Sequence, residues 1–276
     1  MMKRINIGRV QQRLMSSSIG DRDVVVVSIA RTPIGKLSGA LSSLTAPQLG
    51  AHAISNAVQR SGIDKKHFEE VFMGNVVSAG IGQAPARQAA IYAGLKLGTD
   101  ATTINKVCAS GMKAVMLSAL GISSGYRDVT IAGGMESMSN IPYYLPGART
   151  GYRLGNNTVV DGLINDGLWD IYNNQHMGNC GEVMAKKYNI SREEQDEYTI
   201  GTYARAAAAW KAGKFDFEVA PVTIAGKKGQ TDTVVSQDEE FGNINVEKLR
   251  KLNPAFQKVG GTVTAANGSK LYVISH

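Results

Sequence analysis

Thr102 to Ser123 reads TTINKVCASGMKAVMLSALGIS. Thr102–Val107 is rich in β-branched residues and short enough for a buried strand. Ser110–Ser123 is dominated by Ala, Leu and Met and is closed by Ser124-Gly125, which predicts a helix. A strand feeding a helix through a short turn is the repeating step of an α/β protein, and the step recurs on both sides. Glu70–Gly74 (EVFMG) reads as a strand, Ala84–Ala93 as a helix ended by Gly94, and Asp128–Ala132 as a strand. Upstream, Asp23–Ala30 (DVVVVSIA) is a continuous β-branched run that predicts another buried strand, followed by a helix over Ala46–Arg60. The alternation predicts a parallel, doubly wound sheet, and right-handed crossovers then place helices on its faces.

The pattern changes after Gly133-Gly134. Residues 135–175 are irregular and rich in Gly, Asn and Tyr. A helix is expected over Gly178–Tyr188. Ser191-Arg192-Glu193-Glu194 is a capping box that opens a longer helix, stopped by Gly213. Val219–Ile224 and Thr231–Ser236 flank a Gly226–Gly229 turn as in a hairpin. Residues 135–260 therefore read as an inserted α+β loop domain on an α/β core made of 21–134 and 261–276.

Length and composition exclude several classes. The 276 residues allow a sizeable core in one or two domains. No run approaches the roughly 18 apolar residues of a membrane span. Two cysteines, Cys108 and Cys180, make no disulfide framework. The formal charge is +7, but residues 1–20 carry Lys3, Arg4, Arg9 and Arg13 with no acidic residue, so four of the seven charges lie there. Basic, Ser-containing and acid-free, that segment has the composition of a mitochondrial transit peptide; a basic tail is the alternative, and with it a cytoplasmic location. No basic stripe with interleaved aromatics follows, so neither nucleic acid nor membrane is an expected partner.

Cys108 stands where the strand meets the helix. Free amides of a first helical turn, with the positive end of the macrodipole, favour a negative group, and the thiolate is the nucleophilic form of cysteine. Ser110 and Gly111 are small enough for close approach. The competing reading is a small buried cysteine that packs one end of the sheet.

The flanking residues decide between them. NKVCASGMKAV resembles the acyl-enzyme segment of the thiolase family. Ala30–Gly35 (ARTPIG), Gly82–Ala90 (GQAPARQAA), Gly133–Ser139 (GGMESMS), His176–Gly178 (HMG), Glu194–Asp196 (EQD) and Gly261–Asn267 (GTVTAAN) resemble thiolase segments in the same order. The resemblance runs over residues 22–269 and is nearest the acetyl-CoA acetyltransferase branch. It implies a thiolase-like N-terminal half, with a mixed, mostly parallel sheet and helices on both faces. It also implies a two-stage acyl transfer in which Cys108 takes an acetyl group from acetyl-CoA and a second acetyl-CoA removes it as acetoacetyl-CoA, or the reverse thiolysis. Coenzyme A thioesters are the implied substrates, with no redox cofactor.

Further roles follow from the resemblance position by position. Tyr203, Asn243, Ile244, Asn245, Lys248 and Ser269 match residues that hold coenzyme A. His176 and Met177 match residues that line the acyl pocket. Tyr203 and the carbonyls of Ala265, Ala266 and Gly268 match a potassium site. Cys180 has no matched role and reads as structural. Homo-oligomers, dimers or tetramers, are implied for full-length members. The family's second half carries the histidine that activates the nucleophile, in a Gly-His-Pro segment, and a second, acid/base cysteine. None of His52, His67, His176 and His276 is followed by Pro, and that half is absent from these residues. The expectation is slow or no acetyl transfer by the 276 residues alone, and a core helix left with a large apolar surface. Two other readings stay open: a non-catalytic product that binds coenzyme A or pairs with full-length subunits, and a ketosynthase-like condensing enzyme, against which the Ala-Ser-Gly-Met run after Cys108 argues.

Overall fold

The computed structural model describes Gly20, residues 22–226 and residues 229–275. Apart from Gly20, the basic segment of residues 1–20 lies outside the described residues, as do Lys227 and Lys228 of the expected hairpin turn.

The core is a five-stranded mixed sheet. Its strands are β1 (Gly35–Lys36), β2 (Glu70–Gly74), β3 (Asp100–Ile104), β4 (Thr130–Ser137) and β7 (Tyr272–Ser275), in spatial order β1-β7-β4-β2-β3. β2 pairs in parallel with β3 and β4, and β7 lies antiparallel between β4 and β1. β2 lies inside the sheet between β4 and β3 and is buried along most of its length, which its apolar EVFMG sequence suits. β3 is an edge strand and half exposed; it ends at Ile104, not Val107, because the chain turns early towards the next helix.

Three helices cover this sheet. Helix α1 (Ala46–Ser61) starts where the Gln48 side chain accepts from the Thr45 amide at 2.9 Å, with Pro47 in the first turn. It ends at Gly62, whose φ of 68° is the left-handed stop. With α2 (Pro85–Tyr92) it packs one face around Ile54, Val58, Val71, Met73, Ala89 and Met135. Helix α3 (Ser110–Ser123) packs against β2 and β4. Its buried residues are the small Ser110, Ala114 and Ser118, four apart on one stripe. Its large apolar residues point the other way: Met112, Val115, Met116 and Leu120 are all exposed. The expected apolar surface of a core helix is therefore present, and it is α3 that carries it.

The segment between β4 and β7 contains α4 (Met177–Lys187), α5 (Arg192–Lys211), the hairpin β5 (Val222–Ile224) and β6 (Thr233–Val235), and a short α6 (Val246–Arg250). The capping box forms: Ser191 Oγ accepts from the Glu194 amide at 3.1 Å, and the Glu194 carboxylate accepts from the Ser191 amide at 2.7 Å. Val222 and Val235 join Leu41, Leu49 and Val273 in a second apolar cluster. Arg31 is the polar anchor. Its guanidinium donates to Glu218 at 2.6 Å and Asp238 at 2.8 Å, with Trp210 and Phe215 within 6 Å of it.

One expected strand is corrected. Residues 23–30 form no strand among the described residues, and Val24, Val25, Val26, Val27 and Ile29 are exposed. A β-branched run favours a strand, but a buried strand needs a neighbour that a local pattern does not supply.

Candidate functional site

Between β3 and α3 the backbone makes a sharp elbow. Val107 has a φ of 49°, the left-handed region that a β-branched residue enters only when its surroundings force it. Three contacts do so. Asn105 Oδ1 accepts from the Val107 amide at 3.0 Å, Ser110 Oγ accepts from the Lys106 amide at 2.8 Å, and the same hydroxyl donates to the Val107 carbonyl at 2.6 Å. Asn105 is itself tied to the Val76 carbonyl at 3.1 Å. The next residue, Cys108, is exposed, two residues before the first turn of α3. The reading of a small buried cysteine is thereby excluded.

Glycines let α3 sit this close to the sheet. A Cβ on Gly74, the last residue of β2, would lie 2.7 Å from the Gly111 amide nitrogen and 2.7 Å from Ser110 Cβ. A Cβ on Gly134 would lie 3.4 Å from Gly111 Cα. The first obstacle is backbone and cannot swing away. Gly74→Ala is therefore expected to cost about 2 kcal/mol through overpacking and to shift the start of α3. Thermal melts read the first effect, and the rate at which iodoacetamide labels Cys108 reads the second. An unchanged melt and an unchanged rate would show that the contact yields freely.

The Gly261–Asn267 segment is fixed by buried carboxylates. Glu182 on α4 accepts from the Thr262 amide at 2.9 Å, the Val263 amide at 2.8 Å and the Thr262 hydroxyl at 3.0 Å. Asn267 accepts from the Thr264 amide at 2.7 Å and donates to Asp196 at 2.9 Å and the Thr262 carbonyl at 3.0 Å. Arg192 holds Asp196 at 2.8 Å, and Gln195 donates to Thr262 Oγ1 at 3.0 Å. Two sequence blocks some seventy residues apart thus lock together ~3 Å bond by bond.

Beside this segment lies an open hollow of about 150 Å³. Of the residues expected to hold coenzyme A, it brings together Tyr203 from α5 with Asn243, Ile244, Asn245 and Lys248 from the start of α6; Ala266 lines it as well. Asn245 caps α6, accepting from the Lys248 amide at 2.9 Å, and Asn243 donates to the Glu239 carbonyl at 2.6 Å. Burial pushes the Tyr203 phenol up, and the Glu240 carboxylate adds to the shift, so the ring stays neutral at physiological pH. Glu240 and Lys270 also line the hollow. Sequence reasoning missed both. Lys270 directly follows the matched Asn267-Gly268-Ser269 and was within reach of notice; Glu240 lies in an acidic run without a motif.

The other expected residues stand apart from the hollow's lining. Ser269 is exposed. His176 caps α4, its Nδ1 accepting from the Gly178 amide at 3.0 Å, and stacks on Phe256 at 4.8 Å; Met177 beside it is exposed. Cys180 is half-buried, with the Gln175 amide at 3.4 Å and the Asp170 carboxylate at 3.9 Å. At the expected potassium position the Ala265 carbonyl already accepts from Lys270 Nζ at 2.9 Å. A potassium ion on that carbonyl would have to displace the ammonium.

Comparisons with known proteins agree with this architecture. The family model described as thiolase, N-terminal domain, matches residues 24–272. Acetyl-CoA acetyltransferase 2 of Arabidopsis thaliana is 51% identical over 256 residues, covering 93% of this chain and 64% of its own length. The mitochondrial acetyl-CoA acetyltransferase of Homo sapiens is 52% identical over 250 residues, 91% of this chain and 58% of its own. The crystal structure of the Acat5 thiolase from Ascaris suum in complex with coenzyme A superposes with a TM-score of 0.85 at 41% identity, covering 92% of this chain and 64% of that one. The chain thus spans 58% to 64% of the length of these relatives.

Proposed function

The chain belongs to the thiolase family through that family's N-terminal domain, and from this footing we propose that it is the acyl-carrying part of an acetyl-CoA acetyltransferase. The observation that carries the proposal is the exposed Cys108 on a left-handed elbow at the head of α3. In the proposed first stage the Cys108 sulfur attacks the carbonyl carbon of acetyl-CoA. The bond from that carbon to the coenzyme A sulfur breaks, and S-acetyl-Cys108 and free coenzyme A remain. In the second stage another acetyl-CoA loses an α-proton to a base, and its carbanion forms the new C–C bond. The bond to Cys108 then breaks, giving acetoacetyl-CoA and a free thiol. The proton-transfer groups of that stage belong, by the family resemblance, to segments outside these residues, so full turnover is proposed for proteins of the relatives' length.

The hollow is proposed to take the nucleotide end of coenzyme A. The Lys248 ammonium would face a phosphate as a point charge, with Tyr203 and Ile244 offering apolar surface. Homo-oligomers and a mitochondrial location are part of the same proposal, the second resting on the composition of residues 1–20. The exposed α3 face favours a second reading, in which this chain pairs with another subunit without turning over substrate.

Calorimetric titration with coenzyme A tests the site. Lys248→Ala is expected to raise Kd about tenfold, the loss of one charge-assisted contact of about 1.4 kcal/mol. An unchanged Kd would remove the hollow as the binding place.

A further inference from the structure

We infer that the ammonium of Lys270 is the resident cation of the 265–268 turn and stands in place of a potassium ion. The inference rests on the resemblance that matches this turn to a potassium site, and it changes what fills it. Lys270 Nζ donates to the Ala265 carbonyl at 2.9 Å. Lys270, Tyr203 and Ala266 line the same hollow. Hydrogen bonds within the turn fix its shape: the Thr264 carbonyl accepts from the Gly268 amide at 3.0 Å, and Asn267 accepts from the Thr264 amide at 2.7 Å. Two residues after Lys270 the chain enters β7, so both ends of the lysine's tether are fixed.

Two physical arguments favour the tethered cation. A lysine ammonium is a compact monovalent charge with three donors, the same charge that potassium brings to carbonyl oxygens. Tethered five residues from its acceptor, it competes as an intramolecular group whose effective concentration a dissolved ion must exceed. Charge balance points the same way. Glu240 is the one carboxylate lining the hollow among the described residues. Lys248 and Lys270 both line the hollow, so two cations already face that one anion, and a further positive charge on the Ala265 carbonyl would meet the Lys270 ammonium at short range.

The test compares thermal melting in potassium chloride and in choline chloride at equal ionic strength, for the wild-type chain and for Lys270→Met. The wild type is expected to melt at one temperature in both salts. Lys270→Met is expected to melt lower in choline and to gain about 3 °C in potassium, as the freed Ala265 carbonyl takes the ion. Lys270→Thr replaces it should the methionine variant not fold. A potassium-specific gain in the wild type would overturn the inference, and so would the absence of any gain in the variants. Coenzyme A titration of the same samples keeps the two readings apart: lost coenzyme A binding with the expected salt pattern strikes the proposed function and leaves Lys270 as inferred.

Discussion

Arg31→Ala is expected to lower the melting temperature by about 9 °C, the equivalent of about 3 kcal/mol in a domain of this size. Arg31 is 9% exposed and holds two carboxylates that come from the segment between β4 and β7. Asp238 is taken by two guanidinium nitrogens, at 2.8 and 3.3 Å, and Glu218 by a third at 2.6 Å. Without the arginine, two largely desolvated negative charges face each other with no cation between them. The figure is set at the low end for a broken buried pair because Glu218 and Asp238 keep 23% and 15% of their side-chain exposure. Asp238 would retain the Ile34 amide at 2.8 Å and the Trp210 indole at 3.2 Å, so the segment is expected to loosen from the core before it unfolds. Arg31→Lys restores one charge but not the forked geometry and is expected to fall between the two. A melting temperature unchanged in Arg31→Ala would show that the anchor contributes nothing.

Cys108→Ser is expected to abolish capture of an acetyl group from acetyl-CoA, whereas Cys180→Ser keeps it. A hydroxyl at position 108 holds its proton at neutral pH, and the elbow itself supplies no general base. Cys180 sits half-buried in the first turn of α4, with Gln175 and Asp170 against its sulfur. Coenzyme A binding at the Tyr203 hollow is expected to survive in both variants, since neither cysteine lines it.

Features set by neighbouring residues were legible in the sequence. β2 and α3 start and stop where EVFMG and SGMKAVMLSALGIS do, and Ser191 and Glu194 form the capping box their spacing announces. The elbow was legible as a place for Cys108, though not its source, since a left-handed valine breaks the local rule for β-branched residues. Long-range pairing was not legible. β4 runs through Gly133-Gly134 to Ser137 because β7 pairs with its last three residues. Nothing local in the LYVI run of residues 271–274 says that it enters the sheet between β4 and β1. Residues 23–30 read as a buried strand and are exposed outside any strand, because a β-branched run does not say whether a neighbour is there to pair with it. At the site, Tyr203 and Asn243–Lys248 converge because α5 and α6 meet there. Lys270 went unread because its acceptor is a backbone carbonyl, which carries no side-chain signature.

The account stands on Cys108 accepting an acyl group from a thioester. The chain is mixed with acetyl-CoA, quenched in acid, digested and mapped by mass spectrometry, with hydroxylamine used to reveal thioesters. The predicted result is a hydroxylamine-sensitive acetyl group on Cys108, formed slowly, with free coenzyme A released in equal amount. Acetyl groups confined to lysines or to Cys180, or an unmodified Cys108 in a chain that binds coenzyme A, would contradict it.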